Sequence, residues 1–352
     1  MLTIKKKPLF SRLEYTPKEA IALTSIQKNA VDNYRQKIEQ GIYDLEEVNC
    51  LCGSEQNILI SQKDRYGLSV NTYLCKKCGM MWTNPRLTQT SIEEFYNNDY
   101  RNIYVGESQA PDDFFKQQIR HGEQIYQFVA SVCTSKDNLT VFEIGCGAGG
   151  ILVAFKNQGW SVYGCDLGDG YLKRGRQEGL ILEQGDENSL KKYGQADLII
   201  LSHVVEHFSN PLATLKSLSD LLSNEGYLYI EVPGIFKIQQ SYGNVLLFLQ
   251  NAHLYHFTLN TLNRLLGQAG FELIKGNETI HAVYKKTEST ERIHYQNQFL
   301  PILIYLYLLE AEHNFHILSI ITWFKVKFIK VIKIILGEKL TKSLKQKFKN
   351  LS

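Results

Sequence analysis

Three groups of residues in this chain have the types and spacing to do chemistry. The first is a glycine turn. The apolar run Thr140–Ile144 leads into Gly145-Cys146-Gly147-Ala148-Gly149-Gly150. Glycines there permit a tight turn and let backbone N–H groups approach a ligand closely. Residues 151–158 read as a helix starting at the same spot, and a helix N-terminus favours an anionic group. Asp166 closes the next strand, 21 residues after Gly145, a spacing that suits a carboxylate holding two ribose hydroxyls. Gly145-x-Gly147-x-x-Gly150 also fits the dinucleotide fingerprint, so spacing alone leaves the ribose-bearing ligand open.

The second group is four cysteines. Cys50-x-Cys52 and Cys75-x-x-Cys78 are separated by 22 residues. Thiolates are soft ligands that satisfy tetrahedral zinc, and Gly53 and Gly79 beside the pairs allow the knuckle turns. The first pair is one residue tighter than the commoner C-x-x-C, which leaves the count of sulfurs at four. Zinc would staple a module too small to fold on its own core. Cys133, Cys146 and Cys165 stand singly and read as core or turn positions; Cys146, although inside the glycine turn, receives no catalytic role. Seven cysteines with two close pairs fit a reducing compartment and a metal site better than a secreted disulfide framework.

The third group is His203-x-x-Glu206-His207. On a helix this is an inverted zinc-peptidase pattern, with histidine ligands and a glutamate base. Here it follows the buried strand Asp197–Ser202, and residues at strand ends in a doubly wound sheet face the ligand crevice.

The elements that must position these groups alternate. Strands at Thr140–Ile144, Ser161–Cys165, a short one over 179–182, Asp197–Ser202, Gly226–Val232 and Phe271–Ile274 are interleaved with helices at 151–158, 172–178, 211–222 and 261–269. Continuous apolar strands alternating with helices mean a parallel sheet covered on both faces. The expected fold class is α/β, a Rossmann-like doubly wound sheet over 139–287. Ahead of it stand a helical segment (1–45, with a helix over 17–40 striped by Ile21, Ile26, Ala30 and Ile38), the cysteine module (46–90) and a helical connector (91–138). A helical tail (288–352) follows. Within the tail, Phe324, Phe328, Val331, Ile332 and Ile335 lie at helical spacing with lysines largely opposite. Such a basic amphipathic helix over 323–349 predicts peripheral contact with an anionic membrane surface.

The glycine-turn segment resembles class I S-adenosylmethionine-dependent methyltransferases. Their first motif, an acidic residue and then G-x-G-x-G, is matched by Glu143, Gly145, Gly147 and Gly149. ADLIILSHVVEHFSNP (196–211), EGYLYIEVPG (225–234) and HLYHFTLNTLNRLLGQAGFEL (253–273) look like the following motifs in the same order. The resemblance implies that Glu143 and the 145–149 turn line the cofactor's methionine end, Asp166 holds the ribose, and Asp186 sits near the adenine. Ser202 and His203 would then flank the transferred methyl group. A histidine with a pKa of about 6.5 is suited to take the acceptor's proton. His203 is the first candidate base, oriented by Glu206 or His207. His253 and His256 are second candidates, and Tyr96 and Tyr100 are candidates for lining the acceptor site.

The cysteine module, with CGMMWTNPRLT (78–88) after its second pair, is similar to sugar and surface-polysaccharide methyltransferases of bacteria. That resemblance implies a small-molecule or glycan acceptor, including a nucleotide- or lipid-linked sugar, in polysaccharide or secondary-metabolite biosynthesis. The sequence departs after Leu273 from the antibiotic-sugar C-methyltransferases, which leaves methylation of a hydroxyl at least as well supported as methylation of a carbon.

The totals bound the alternatives. The 352 residues carry a net charge of +3; residues 325–349 hold a net of +8, so the remainder is −5 and no nucleic-acid partner is expected. An RNA methyltransferase gripping its substrate through the cysteine module is the second hypothesis, and a non-catalytic scaffold with a degenerate cofactor fold the third. No long apolar stretch follows the lysines at 5–7, and the longest apolar run is 299–309, too short for the ~20 residues that span a bilayer. A cytoplasmic location, with contact at the inner membrane face, is the expectation.

Overall fold

The computed structural model describes residues 7–106, 110–133, 138–287 and 295–313. Helix α1 (Ser25–Glu39) starts at Thr24, whose side chain accepts from the Gln27 N–H while the Gln27 side chain caps the Thr24 N–H. This reciprocal pair satisfies two donors that a helix start leaves open, so the helix begins there rather than at 17. Its buried face is Ala30, Val31 and Tyr34, and the predicted stripe residue Ile26 is exposed. Tyr34 packs against the rings of Tyr43 and Phe95, and that aromatic contact sets the helix rotation.

Strands β1 (Leu45–Glu46), β2 (Asn57–Lys63), β3 (Ser69–Cys75), β4 (Met81–Thr83) and β5 (Arg86–Leu87) follow. Then come α2 (Gln89–Asn98), α3 (Tyr100–Tyr104) and α4 (Asp112–Ala130). β2, β3 and β4 form an antiparallel sheet. From there the alternation runs as expected: β6 (Thr140–Ile144), α5 (Gly150–Lys156), β7 (Ser161–Asp166), α6 (Asp169–Gln177), β8 (Ile181–Gln184), β9 (Ala196–Ser202), α7 (Pro211–Leu221) and β10 (Leu222–Glu231). The last stretch holds α8 (Ile238–Tyr242), α9 (Val245–Phe248), β11 (Tyr255–His256), α10 (Leu259–Gln268), β12 (Phe271–Gly276), β13 (His281–Lys286) and α11 (Phe299–His313).

The main sheet has the order β12-β13-β10-β9-β6-β7-β8. β8, β7, β6, β9 and β10 are parallel, whereas β13 is antiparallel to β10 and β12 to β13. The all-parallel expectation therefore fails at one edge, because the sequence reading contained no strand at 281–286. The two central strands bury both faces. Phe142, Ile199 and Leu201 pack toward the leucines of α7 and α10. Val141, Leu198 and Ile200 pack toward Ile125, Val129, Leu152 and Phe155 of α4 and α5. The chain runs outward from β6 in one direction and returns to its other side at β9, so the crevice at their carboxyl ends is the topological switch point.

The cysteine module is not a separate body. β11 pairs with β4, Tyr255 opposite Trp82 and His256 opposite Met81. One core cluster runs from Cys75 and Trp82 through to Leu201 and Phe257. α11 is the apolar run 299–309, and it packs on Phe10, Leu13 and Ile60, with Arg12 Nε 2.8 Å from Glu310 Oε1. No described helix is long and apolar enough to cross a membrane. The expected basic helix over 323–349 lies outside the described residues.

Candidate active site

Asp166, Ser202 and Glu231 close three parallel strands and Glu143 is the last residue but one of a fourth, and all four side chains line one cleft of about 1150 Å³. Gly145, Gly147 and Gly149 have φ of 67°, 57° and 73°, a left-handed backbone that other residues adopt only under strain. Asp166 Oδ2 accepts from the Gly147 N–H (2.9 Å) and Oδ1 from the Gly168 N–H (2.8 Å). The Arg101 guanidinium lies 3.3 Å from Oδ1 and stacks over the Tyr171 ring. The Gly150 N–H donates to Gln118 Oε1 at 3.2 Å.

These bonds separate the two ribose-bearing ligands. A dinucleotide needs turn amides for its pyrophosphate, but a carboxylate and a side-chain amide already hold two of them. The expected anion site at the start of α5 is filled from within. Around it, Glu93, Asp166, Asp186, Glu187 and Glu231 line the cleft and outnumber the guanidinium of Arg101 and the rings of His121 and His203 among the described residues. That balance suits a cationic ligand, such as a sulfonium, and opposes a diphosphate or an RNA backbone. Glu143 is buried and its Oε2 has no hydrogen-bond partner. Burial first, then nearby Asp166, holds its carboxyl well above the usual carboxylate range. An orphaned carboxyl oxygen beneath the turn fits a donor arriving from the methionine end. Asp186 also lines the cleft, one strand away from Asp166, with Oδ1 accepting from the Asn188 N–H at 3.0 Å.

The histidine cluster differs from its expected roles. His203 has φ 57°, which costs a non-glycine residue about 1–3 kcal/mol, and its side chain is 52% exposed to the cleft. Its Nδ1 lies 3.5 Å from Glu206 Oε1 and its Nε2 3.4 Å from Glu231 Oε1. Burial pulls the imidazole down, but the two carboxylates outweigh it and raise the pKa to about 10. His203 is therefore protonated at neutral pH and cannot begin the reaction as the base. His207 is the opposite case. Its Nδ1 contacts the Ala252 carbonyl at 2.8 Å; a carbonyl only accepts, so Nδ1 carries the proton and Nε2 the lone pair. Burial lowers its pKa below the usual histidine value. Its ring meets the edges of Tyr96 and Tyr100, which also line the cleft.

His253 and His256 are buried behind His207 rather than in the cleft. Burial keeps both neutral, His256 at about 3. Glu206, His207 and His253 bring ligand atoms within 4.8 Å of one another. Gln250 bonds to His253 Nε2 and the Ala252 carbonyl to His207 Nδ1, whereas the buried Glu206 oxygens have no hydrogen-bond partner and His203 Nδ1 stands 3.5 Å from one of them. The peptidase reading of the motif fails as well, since residues 203–207 run from a strand end into a single 3-10 turn, Val205–His207.

The four cysteines do converge. Cys50 Sγ is 3.5 Å from Cys78 Sγ and Cys52 Sγ 3.6 Å from Cys75 Sγ, and all four sulfurs lie within 4.8 Å. A disulfide needs ~2.05 Å, and every cysteine is free. Sulfurs at tetrahedral corners ~2.3 Å from zinc stand roughly 3.8 Å apart, close to these spacings. Gly53 and Gly79 take φ of 73° and 82° at the two knuckles, and the Met80 N–H points to Cys78 Sγ. Cys133, Cys146 and Cys165 are buried.

Arg101, Gln118, His121 and Glu231 also line the cleft, and no motif in the sequence singles them out. Glu231 had one signal, a carboxylate closing the otherwise apolar strand 226–232. The other three reach the cleft from α3 and α4, and nothing local marks them.

Residues 115–275 match the family model described as a methyltransferase domain. The chain is similar to the magnesium protoporphyrin IX methyltransferase of Synechocystis PCC 6803 with bound S-adenosylhomocysteine, at 19% identity over 57% of this chain and 100% of that one, TM-score 0.39. It is similar to a plantazolicin methyltransferase in complex with S-adenosylhomocysteine, at 16% identity over 56% and 94%, TM-score 0.44. It is also similar to an S-adenosylmethionine-dependent methyltransferase of Clostridium acetobutylicum ATCC 824, at 12% identity over 48% and 92%, TM-score 0.39. A search of the curated proteins gave no match. The domain match and the carboxylate-capped glycine turn define the protein as an enzyme. It is a methyltransferase that uses S-adenosylmethionine.

Proposed function

We propose that the protein transfers the methyl group to a glycan or small-molecule acceptor, with a sugar hydroxyl as the acceptor group, and that the four cysteines hold a structural zinc ion. The observation that carries the reading is the pair of histidines, His203 and His207, held in opposite protonation states at the cleft. Groups whose pKa values are pushed apart by their surroundings divide into acid and base.

Glu143 and the 145–149 turn would hold the methionine end, Asp166 the ribose, and Asp186 the adenine side. Bound S-adenosylmethionine supplies a methyl group already made electrophilic by its sulfonium. His207 Nε2 accepts the proton of the attacking hydroxyl, whose oxygen gains the methyl group. The His203 cation, held between Glu206 and Glu231, and the Ser202 oxygen, whose proton goes to Glu231, line the same region and align the acceptor. Tyr96 and Tyr100, with ring centroids 4.6 Å apart, offer an aromatic wall for the apolar face of a sugar ring. A second reading, methylation of a sugar carbon beside a carbonyl, is favoured by the same pair. His207 would take the carbon-bound proton while the positive charge of His203 stands beside the oxygen that gains charge.

Release of S-adenosylhomocysteine over a panel of free, nucleotide-linked and lipid-linked sugars tests the acceptor. Transfer to RNA alone, with every sugar inert, sinks the glycan reading. His207→Ala is expected to lower kcat by about 10²–10⁴-fold, the usual contribution of a general base. The acid limb of the native enzyme's pH profile should lie below the ordinary histidine value, because burial lowers the His207 pKa. Activity should fall again near pH 10 as His203 loses its proton. An acid limb that survives His207→Ala would assign the base elsewhere.

A further inference from the structure

Glu231 receives bonds from three elements besides its own. Its Oε2 accepts from His121 Nε2 of α4 at 2.7 Å, from Ser202 Oγ at 3.2 Å and from Tyr229 OH at 3.4 Å. Its Oε1 stands 3.4 Å from His203 Nε2 and 3.9 Å from His281 Nε2 of β13. Its own carbonyl accepts from the His203 N–H at 2.8 Å. The carboxylate is 8% exposed while the His203 ring it faces is 52% exposed, so a fixed buried group presents an accessible one.

We infer that Glu231, anchored by His121, is a positioning residue that, with Glu206, fixes the His203 ring as a cation at the acceptor side of the cleft. The inference rests on the methyl-transfer reading of the cleft. A strained left-handed backbone persists only where its surroundings over-determine it, and here one residue does so twice, through its carbonyl and its carboxylate. Glu206 closes the clamp from the other side of the ring. The charged groups facing His203 are thus Glu206 after β9 and Glu231 on β10. His121 and His281 lie beyond Glu231 on α4 and β13. His121 is raised by its bond to Glu231, while burial lowers His281. Glu231 itself stays ionised: burial opposes that, but the bonds to His121 and His203 hold its carboxyl well below the usual range.

The test needs no acceptor. Imidazole NMR titration of the full chain, with His203 assigned by a His203→Gln control, should place His203 far above its free value. Glu231→Gln, nearly the same shape, should lower that pKa by a unit or more and leave His207 unmoved. If Glu231→Gln does not fold, Glu231→Asp serves instead, because the shorter side chain keeps its charge but draws the carboxylate away from the His203 ring; a downward shift of His203 is expected there too, of smaller size. A His203 titration unchanged in the folded variant overturns the inference. S-adenosylhomocysteine binding, followed by calorimetry on the same samples, keeps the two claims apart. Tight binding with an unmoved His203 sinks the positioning role alone, and no binding in the native protein sinks the cofactor assignment beneath it.

Discussion

Asp166→Ala is expected to weaken S-adenosylmethionine binding by about 100-fold, or about 2.7 kcal/mol, the size of one to two hydrogen bonds to a charged group. Three things are lost together. The carboxylate that would take the ribose hydroxyls disappears. The Gly147 and Gly168 amides, now held at 2.9 and 2.8 Å, lose their acceptor, so the turn is no longer fixed. Arg101, left without its partner 3.3 Å away, becomes an unbalanced cation in a cleft that must accept a sulfonium. Asp166→Asn keeps one oxygen acceptor but loses the charge and sets an amide NH2 against one of the two glycine N–H groups, so it should fall between, about 10-fold weaker. Calorimetry with both S-adenosylmethionine and S-adenosylhomocysteine separates the contributions. The second ligand lacks the sulfonium charge, so it should be less sensitive to the stranded Arg101. Equal, native-like affinity for both ligands in the alanine variant would remove Asp166 from the site.

What the sequence made legible is what lies close along the chain. Glu143, the glycine turn and Asp166 fall within 24 residues, and the strand–turn–helix–strand geometry that unites them is a local unit. The four cysteines were legible for a similar reason, since each pair closes its own knuckle. The cleft's other half is made by distant pairings. His121 and Glu231 are 110 positions apart and meet only because α4 lies across the end of β10. β11 has two residues, too few for any periodicity, yet it joins the cysteine module to the methyltransferase core. The protonation of His203 was also out of reach. Residue type assigns histidine a pKa of about 6.5, and the shift comes from two carboxylates, one three positions away and one on another strand. The motif brought His203 and His207 to the cleft, and only the tertiary surroundings set their proton affinities apart.

That junction makes the zinc prediction separable from the cofactor prediction. The protein is expected to carry about one zinc per chain at a tetrathiolate site, and Cys75→Ser should lose it. Cys75 is fully buried at the end of β3, so a hydroxyl there neither ligates well nor packs as an apolar group. Structural zinc contributes several kcal/mol or more of folding free energy, and a few kcal/mol moves the midpoint of a domain this size by about 10 °C. The functional consequence follows the hydrogen bonds. Thr83 Oγ1 donates to the His253 carbonyl at 2.9 Å and the Thr83 N–H to the Leu254 carbonyl at 3.0 Å. The same loop supplies the Ala252 carbonyl that holds His207 Nδ1. Loosening the cysteine module should therefore release His207 from its fixed tautomer while leaving Glu143, Asp166 and the glycine turn in place on β6 and β7. The expected result in Cys75→Ser is a lower melting temperature and loss of transfer, with S-adenosylhomocysteine affinity within a few-fold of native. Metal analysis, thermal melting and calorimetry on one preparation decide it. A metal-free native protein that melts no lower after a chelator would defeat the zinc site. A variant that loses cofactor binding in step with zinc would show instead that the module and the sheet fold as one cooperative unit.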